Sequence, residues 1–468
     1  MRIWRRTFLR NRITAHLIMQ TESAITFLRQ RFTENGKMDA IAWNDKLFSY
    51  EWLDNEIITY SNILERFAIK PGDVVALKGD FSPACIALFL SLTAHNCIIV
   101  PLMHSVKNEE KLLDIAGASF RVTVDQADKY AIDVLGQRET NRLYEQIRER
   151  RQPGLVLFSS GTSGEPKCAV HDFSKLLGKF HQTRQALRTL NFLLFDHWGG
   201  LNTMLHILSN KGVVITANER SPQHICSLVE KYKIELLPAS PTFLNLLLLS
   251  EAYKAYDMSS LRIISYGTEP MLTSTLQKLK QVFPGVKLQQ TYGLIELGVL
   301  RSKSQGDDSL WVKLGGEGYE LRVVDGLLEI KAASAMLGYL NAPSPFTEDG
   351  WFKTGDAVEV QEDYYRILGR RSELINVGGE KVYPTEVESV IQEMQNVAEV
   401  KIYGESNPIM GKIIVAQVRL FEEEDKKEFT SRLKSHCRKQ LAPYKIPVKV
   451  IVSNELQYGD RLKKTRVG

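Results

Sequence analysis

Short apolar runs bounded by glycine or proline punctuate the first three quarters of the chain, at residues 74–77, 97–102, 154–158, 212–216, 234–237 and 261–266. Each has the length of a buried strand. Between several of them, residues 222–233, 241–253 and 272–283 carry apolar positions at helical spacing. The first two open with Ser-Pro, at Ser221-Pro222 and Ser240-Pro241, as helices do. Strand alternating with helix predicts parallel sheets in an α/β domain.

From residue 318 to 368 the pattern changes to closely spaced alternating segments, YELRVVDGLLEIKA and WFKTGDAVEVQEDYYRILG, which predict a more antiparallel, barrel-like section closing the large domain. A polar break, Gly369-Arg370-Arg371-Ser372, follows. Beyond it, a helix at 385–393, strands near 397–403 and 413–420 and a charged helix at 428–441 describe a small α+β domain. The expected organisation is a basic extension over 1–20, a large domain over 21–369 and a small one over 370–468. The fold class is α/β, with parallel subdomains plus a distorted barrel.

Composition narrows the function classes. The chain has 468 residues, 44% hydrophobic and 25% charged, the profile of a globular enzyme with more than one core. Its formal charge of +5 is carried by Arg2, Arg5, Arg6, Arg10 and Arg12, in an opening that holds no acid. Elsewhere the charge is balanced, so no nucleic-acid partner is expected. That opening fits either a transit segment or an extension ahead of a start at Met19. The five cysteines (Cys85, Cys97, Cys168, Cys226, Cys437) show no CxxC spacing, which suits a reducing, cytoplasmic setting. No uncharged apolar run reaches the roughly 18 residues that a membrane span requires.

The strongest single motif is residues 155–167, LVLFSSGTSGEPK. A buried-type strand runs into Ser159-Ser160-Gly161-Thr162-Ser163-Gly164, then Lys167. Small residues let backbone N–H groups approach phosphate oxygens, hydroxyls add donors, and the lysine opposes polyphosphate charge. It is not a Walker A loop, because Glu165-Pro166 separate the last glycine from the lysine. Taken alone, the stretch reads either as a phosphate cradle or as a flexible Gly/Ser turn.

Further motifs follow in order: Gly267-Thr268-Glu269-Pro270, Tyr292-Gly293-Leu294-Ile295-Glu296, Leu337-Gly338-Tyr339-Leu340-Asn341, Gly350-Trp351-Phe352-Lys353-Thr354-Gly355-Asp356, Gly369-Arg370 leading into ELINVGGEKVYPTEVES, and a closing RLKKTR. Together they resemble the ANL family of adenylate-forming enzymes, from about residue 22 onward. That family includes acyl-CoA synthetases, peptide-synthetase adenylation domains and luciferases.

The resemblance implies ATP and Mg²⁺ as partners of the site. The 159–167 loop would close over the phosphates, with Thr162 helping to hold them and the metal. Glu296 would bind the magnesium ion, a hard cation that takes few protein oxygens when phosphates supply the rest. Tyr292, next to Gly293, would stack on adenine, with Thr268, Glu269 and Pro270 lining its other side. Asp356 would accept from the ribose hydroxyls and Arg370 add a second contact. Lys463, chosen over Lys464 because Lys463-Lys464-Thr465-Arg466 keeps the K-x-x-R spacing, would neutralise charge at the α-phosphate. Departures stand at Ile295, where the family has a hydroxyl, at Ser372 in the hinge, and at Leu462, where it usually has glycine.

The implied reaction converts a small carboxylic acid into an acyl-adenylate, releasing pyrophosphate, and passes the acyl group to the thiol of CoA or of a separate carrier protein's phosphopantetheine. A small, mobile C-terminal domain would rotate about Ser372 and bring Gly378-Gly379 toward a thiol tunnel. His197 matches an H-x-x-G gate. Trp198, Thr242, Ser265, Tyr266 and Gly267 would line the acyl pocket, and Trp198 and Tyr266 would shorten it. Transfer to an amine, amino-acid activation through Asp196 and a non-catalytic nucleotide binder are the competing readings. A Rossmann dehydrogenase lacks its GxGxxG.

Overall fold

A computed structural model describes residues 23–136, 141–159, 165–408 and 410–453. Two seven-stranded sheets build the large part of the chain. Their centres are parallel, as strand–helix alternation requires. Strands 188–190, 213–215, 236–239, 263–266 and 287–290 run parallel in one, and 74–78, 98–102, 120–124 and 154–159 in the other. At least one edge of each is antiparallel. The hairpins Asp39–Trp43/Lys46–Ser49 and Phe120–Val124/Tyr130–Val134 turn one edge of each sheet.

The helix starts anticipated from Ser-Pro are real caps. Ser221 and Ser240 accept from the N–H groups of His224 and Phe243, and Pro222 and Pro241 open the helices Pro222–Tyr232 and Pro241–Ser250. The helix Pro83–Ala94 is buried on every side. It belongs to the largest apolar cluster, which draws on Ile41 and Val214 of one sheet and Val75 and Leu157 of the other. A helix apolar all round can sit only in such a layer.

A six-stranded antiparallel sheet, containing Phe352–Gln361 paired with Tyr364–Arg370, supplies the barrel-like section. The turn Arg371–Glu373 then leads to a second, smaller core around Ile375, Val400 and Phe429. That core lies between the helices Pro384–Gln392 and Lys426–Gln440 and a sheet built on the long hairpin Val397–Asn407/Gly411–Leu420. No helix among the described residues is long and apolar enough to cross a membrane.

One contact fastens the first helix, Thr26–Glu34, to the body. The Arg31 guanidinium donates to three main-chain carbonyls, Phe180 at 2.8 Å, Ser209 at 2.7 Å and His181 at 2.6 Å. It ties the segment after Leu177 to the end of the helix Trp198–Ser209. Arg31→Met removes all three bonds and leaves their acceptors unpaired. With a charged hydrogen bond worth about 1.5–3 kcal/mol, the large domain should lose about 2–4 kcal/mol. Urea unfolding followed by tryptophan fluorescence measures it, and an unchanged midpoint would show that the clamp holds nothing.

Candidate functional site

The strand Gly154–Ser159 pairs antiparallel with Lys167–Asp172, Ser159 opposite Lys167. The glycine- and serine-rich stretch is therefore the connection of a hairpin and leads into a strand, where a Walker loop leads into a helix. Residues 160–164, with Ser160, Gly161, Thr162, Ser163 and Gly164, lie outside the described residues, as does Lys463. The returning end of the connection is held. Asn341 accepts from the Cys168 N–H at 2.9 Å and donates to the Pro166 carbonyl at 2.8 Å, while Tyr339 pairs with Ala169 on the edge of that strand.

Tyr339 also reaches Glu296. Its hydroxyl donates to the carboxylate at 2.6 Å, and the Lys167 ammonium sits 5.6 Å from the centre of its ring. Burial and the neighbouring Glu296 charge push the tyrosine's ionisation well up, so it stays a donor. From sequence, Tyr339 and Asn341 carry no role beyond membership of a motif. Their signal was two polar side chains at alternate positions, of the kind that bind one strand edge and one loop.

Next to this lies a second, more buried group. The Tyr292 hydroxyl donates to Asp356 at 2.5 Å, and the Arg370 guanidinium pairs with the other oxygen at 2.7 Å. Sheet register places Asp356 and Arg370 opposite one another. Thr354 accepts from the Asp356 N–H at 3.0 Å, and the Thr354 carbonyl accepts from Arg370 at 3.1 Å. Burial raises the Asp356 carboxyl above its ordinary value, against the pull of Arg370 and Tyr292. Arg370 also acts electrostatically on Glu296 and Tyr339, so the two groups form one charged centre.

The turn at Thr268 borders it and is strained. Thr268 has φ +73°, a conformation that β-branched residues avoid and that persists chiefly at functional sites. Gly267 precedes it because a Cβ there would lie 2.5 Å from the Thr291 hydroxyl. The Glu269 side chain is taken up locally: it accepts from the Thr242 N–H at 2.8 Å, at the start of the helix Pro241–Ser250.

A cavity of about 980 Å³ opens beside this centre, bordered by His197, Ser265, Gly267, Thr268 and Gly293. His197 caps the helix Trp198–Ser209, its Nδ1 accepting from the Gly199 N–H at 3.1 Å. Gly200 of the H-x-x-G signature admits no Cβ, which would meet the Leu194 carbonyl at 2.2 Å. Two pocket expectations need correction. Tyr266 alternates with Ser265 along its strand, so it points into the core on the opposite face and shortens nothing. Thr242 is buried at the helix cap. Trp198 does border the cavity, though only 1% exposed and held edge-on to Phe173.

Ser372 stands in the turn Arg371–Glu373. Gly378 and Gly379, with φ +60° and +96°, form the two-residue turn between the strands Ile375–Val377 and Glu380–Val382. Two consecutive positive φ values are what a tight hairpin asks of its sequence.

Comparison with known proteins agrees with this architecture. The model of the AMP-binding enzyme family matches residues 28–330, and that of the AMP-binding enzyme C-terminal domain matches residues 386–468. A 2-succinylbenzoate–CoA ligase of Listeria monocytogenes is 26% identical, covering 92% of this chain and 95% of its own length. An indoleacetate–CoA ligase of Aromatoleum aromaticum is 24% identical over 90% and 92%. The crystal structure of the anthranilate CoA ligase AuaEII with anthranoyl-AMP superposes with a TM-score of 0.80 at 20% identity over 95% of each chain, which shows a shared fold. The chain is an AMP-binding enzyme, a member of the ANL superfamily of adenylate-forming enzymes.

Proposed function

We propose that this enzyme activates a small carboxylic acid with ATP, as an acyl-adenylate, and transfers the acyl group to the thiol of CoA. The observation that carries it is the joined centre of Asp356, Arg370 and Tyr292 with Glu296, Tyr339 and Lys167, at the mouth of an acyl-sized cavity. In the first step a carboxylate oxygen attacks the α-phosphorus, the bond to the bridging oxygen breaks and pyrophosphate leaves. In the second, a thiol attacks the acyl carbon and AMP departs. Both steps are governed by positioning and charge neutralisation.

Asp356 would accept from the ribose hydroxyls while Arg370 keeps its charge in place. The Tyr292 ring and the Thr268 turn would flank adenine. Lys167, with the loop that Asn341 fastens, would hold the β- and γ-phosphates. Glu296, a hard oxygen donor held by Tyr339, fits Mg²⁺, and Thr162, outside the described residues, would add a hydroxyl. A magnesium ion with few protein ligands takes the rest from phosphates and water, and would neutralise charge on the departing pyrophosphate.

CoA is favoured over a carrier protein because several relatives are named CoA ligases. Rotation of the small domain about Ser372, carrying Lys463 out and Gly378-Gly379 in, would open the thiol route past His197. A cytoplasmic setting suits five cysteines that are all free and buried.

Pyrophosphate release across a panel of aryl and alkyl acids, followed by acyl-CoA detection, tests the reaction. Silence with every acid would overturn it. Lys463→Ala should lower ATP–pyrophosphate exchange by about 10²–10³-fold, by the precedent of lost transition-state donors. A supplied acyl-adenylate should still transfer to CoA at close to the normal rate, and survival of exchange would remove Lys463 from the chemistry. Tyr339→Phe frees one Glu296 oxygen, so the Mg²⁺ concentration for half-maximal rate should rise on the order of tenfold, the worth of a charged hydrogen bond. An unshifted Mg²⁺ curve would assign Tyr339 to the strand edge alone.

A further inference from the structure

The cavity that begins at His197 and Gly293 continues along the helix Trp198–Ser209, whose Gly199, Asn202, Thr203 and His206 face it in successive turns. From His197 to His206 the helix rises roughly 13 Å, at 1.5 Å per residue. Around His206 the lining becomes cationic. Lys179, Arg184 and Arg301 all border the cavity, and Glu317 is the one acid among its lining residues.

None of these three side chains has an acidic partner among the described residues. The Lys179 ammonium donates only to the Val299 carbonyl, at 3.2 Å, and Arg301 to the neutral amide of Gln182, at 2.5 Å. They stand close enough to repel. Desolvation, then the charges of Arg184 and Arg301, lower Lys179 from its ordinary value, although all three side chains remain exposed to solvent. Desolvation and the same cluster push His206 down to about 4. Exposed lysines and arginines elsewhere in this chain commonly meet carboxylates, such as Lys231 with Asp45 or Arg322 with Glu329 and Asp349. Like charges gathered beside one open cavity without a counter-charge repel one another, and an anion entering there relieves that repulsion.

We propose that Lys179, Arg184 and Arg301 form an anion subsite at the far end of the acyl cavity, which receives a second carboxylate on the acid substrate. The inference rests on the adenylation reading above and narrows its substrate to dicarboxylic acids. The activated carboxylate meets the adenylating centre, and the distal one lies on the order of ten ångströms away, given the helical rise between His197 and His206. A monocarboxylic acid of equal length would leave the cations unsatisfied.

The test is ATP–pyrophosphate exchange with adipate, suberate and sebacate, each against the straight-chain monoacid of the same carbon number, in the wild-type enzyme and in Lys179→Met and Arg301→Met. In the wild type, one diacid should exceed its monoacid in kcat/KM by about ten- to hundredfold, the worth of a charge-assisted contact. Each variant should erase most of that advantage and leave the monoacid rate and the KM for CoA unmoved. Both variants should melt no lower than the wild type, since each removes a repelled cation. If monoacids and diacids exchange equally, the subsite is wrong while adenylation stands. If the variants slow both acid classes alike, the cations serve folding. If they raise only the KM for CoA, the anion is a CoA phosphate. If no acid supports exchange, the adenylation reading falls and the subsite with it.

Discussion

The site is organised around one buried carboxylate. Asp356 is 5% exposed and is held by the Arg370 guanidinium and the Tyr292 hydroxyl, each on its own oxygen. Leaving such a charge without its partner costs about 3–5 kcal/mol, so the three residues stand or fall together. Arg370 ends the last strand of the six-stranded sheet, and the chain turns at once toward the second core. The ion pair that fixes Asp356 therefore also fixes the end of the six-stranded sheet. Any motion of the small domain starts one residue beyond an anchored point.

The phosphate-facing half rests on the same sheet logic. The strand that returns from the glycine- and serine-rich stretch is fastened by Tyr339 and Asn341, far along the chain. Asn341 spans the returning strand with two hydrogen bonds, and Tyr339 carries the loop's alignment over to Glu296. Glu296 and Lys167 are thus referred to one strand edge. A fixed strand register beneath a binding site holds its side chains in place for each turnover.

What could be read from the sequence follows from how local each signal is. Ser221 and Ser240 act within three residues, and both caps appear where expected. The motifs that hold Tyr292, Glu296, Asp356 and Arg370 could be placed because each combines an unusual turn with a charge, and the fold brings them together. Tyr266 failed for a plain reason. Strand alternation decides which face a residue takes, and the sequence does not say which face of 263–266 is the cavity. Glu269 was hidden because its partner, the Thr242 N–H, is a backbone group. Lys179, Arg184, His206 and Arg301 were invisible as a set. They come from a turn, a loop, a helix and a strand, and nothing in the spacing of the sequence joins them.

That last group shows a different economy from the rest of the site. Around Asp356 every charge is answered within the protein, so the centre is complete before any substrate arrives. Around Lys179 the charges are unanswered among the described residues, although the fold could have supplied an acid as it does for Arg322 and Lys231. A protein that tolerates repulsion in a cavity gives up stability there, and functional sites are where such losses persist. The nucleotide end is prepared for a partner that is the same in every turnover, and can be rigid. The proposed far end would discriminate among acids, because the right acid brings the missing charge and the wrong one leaves the exposed cations unanswered.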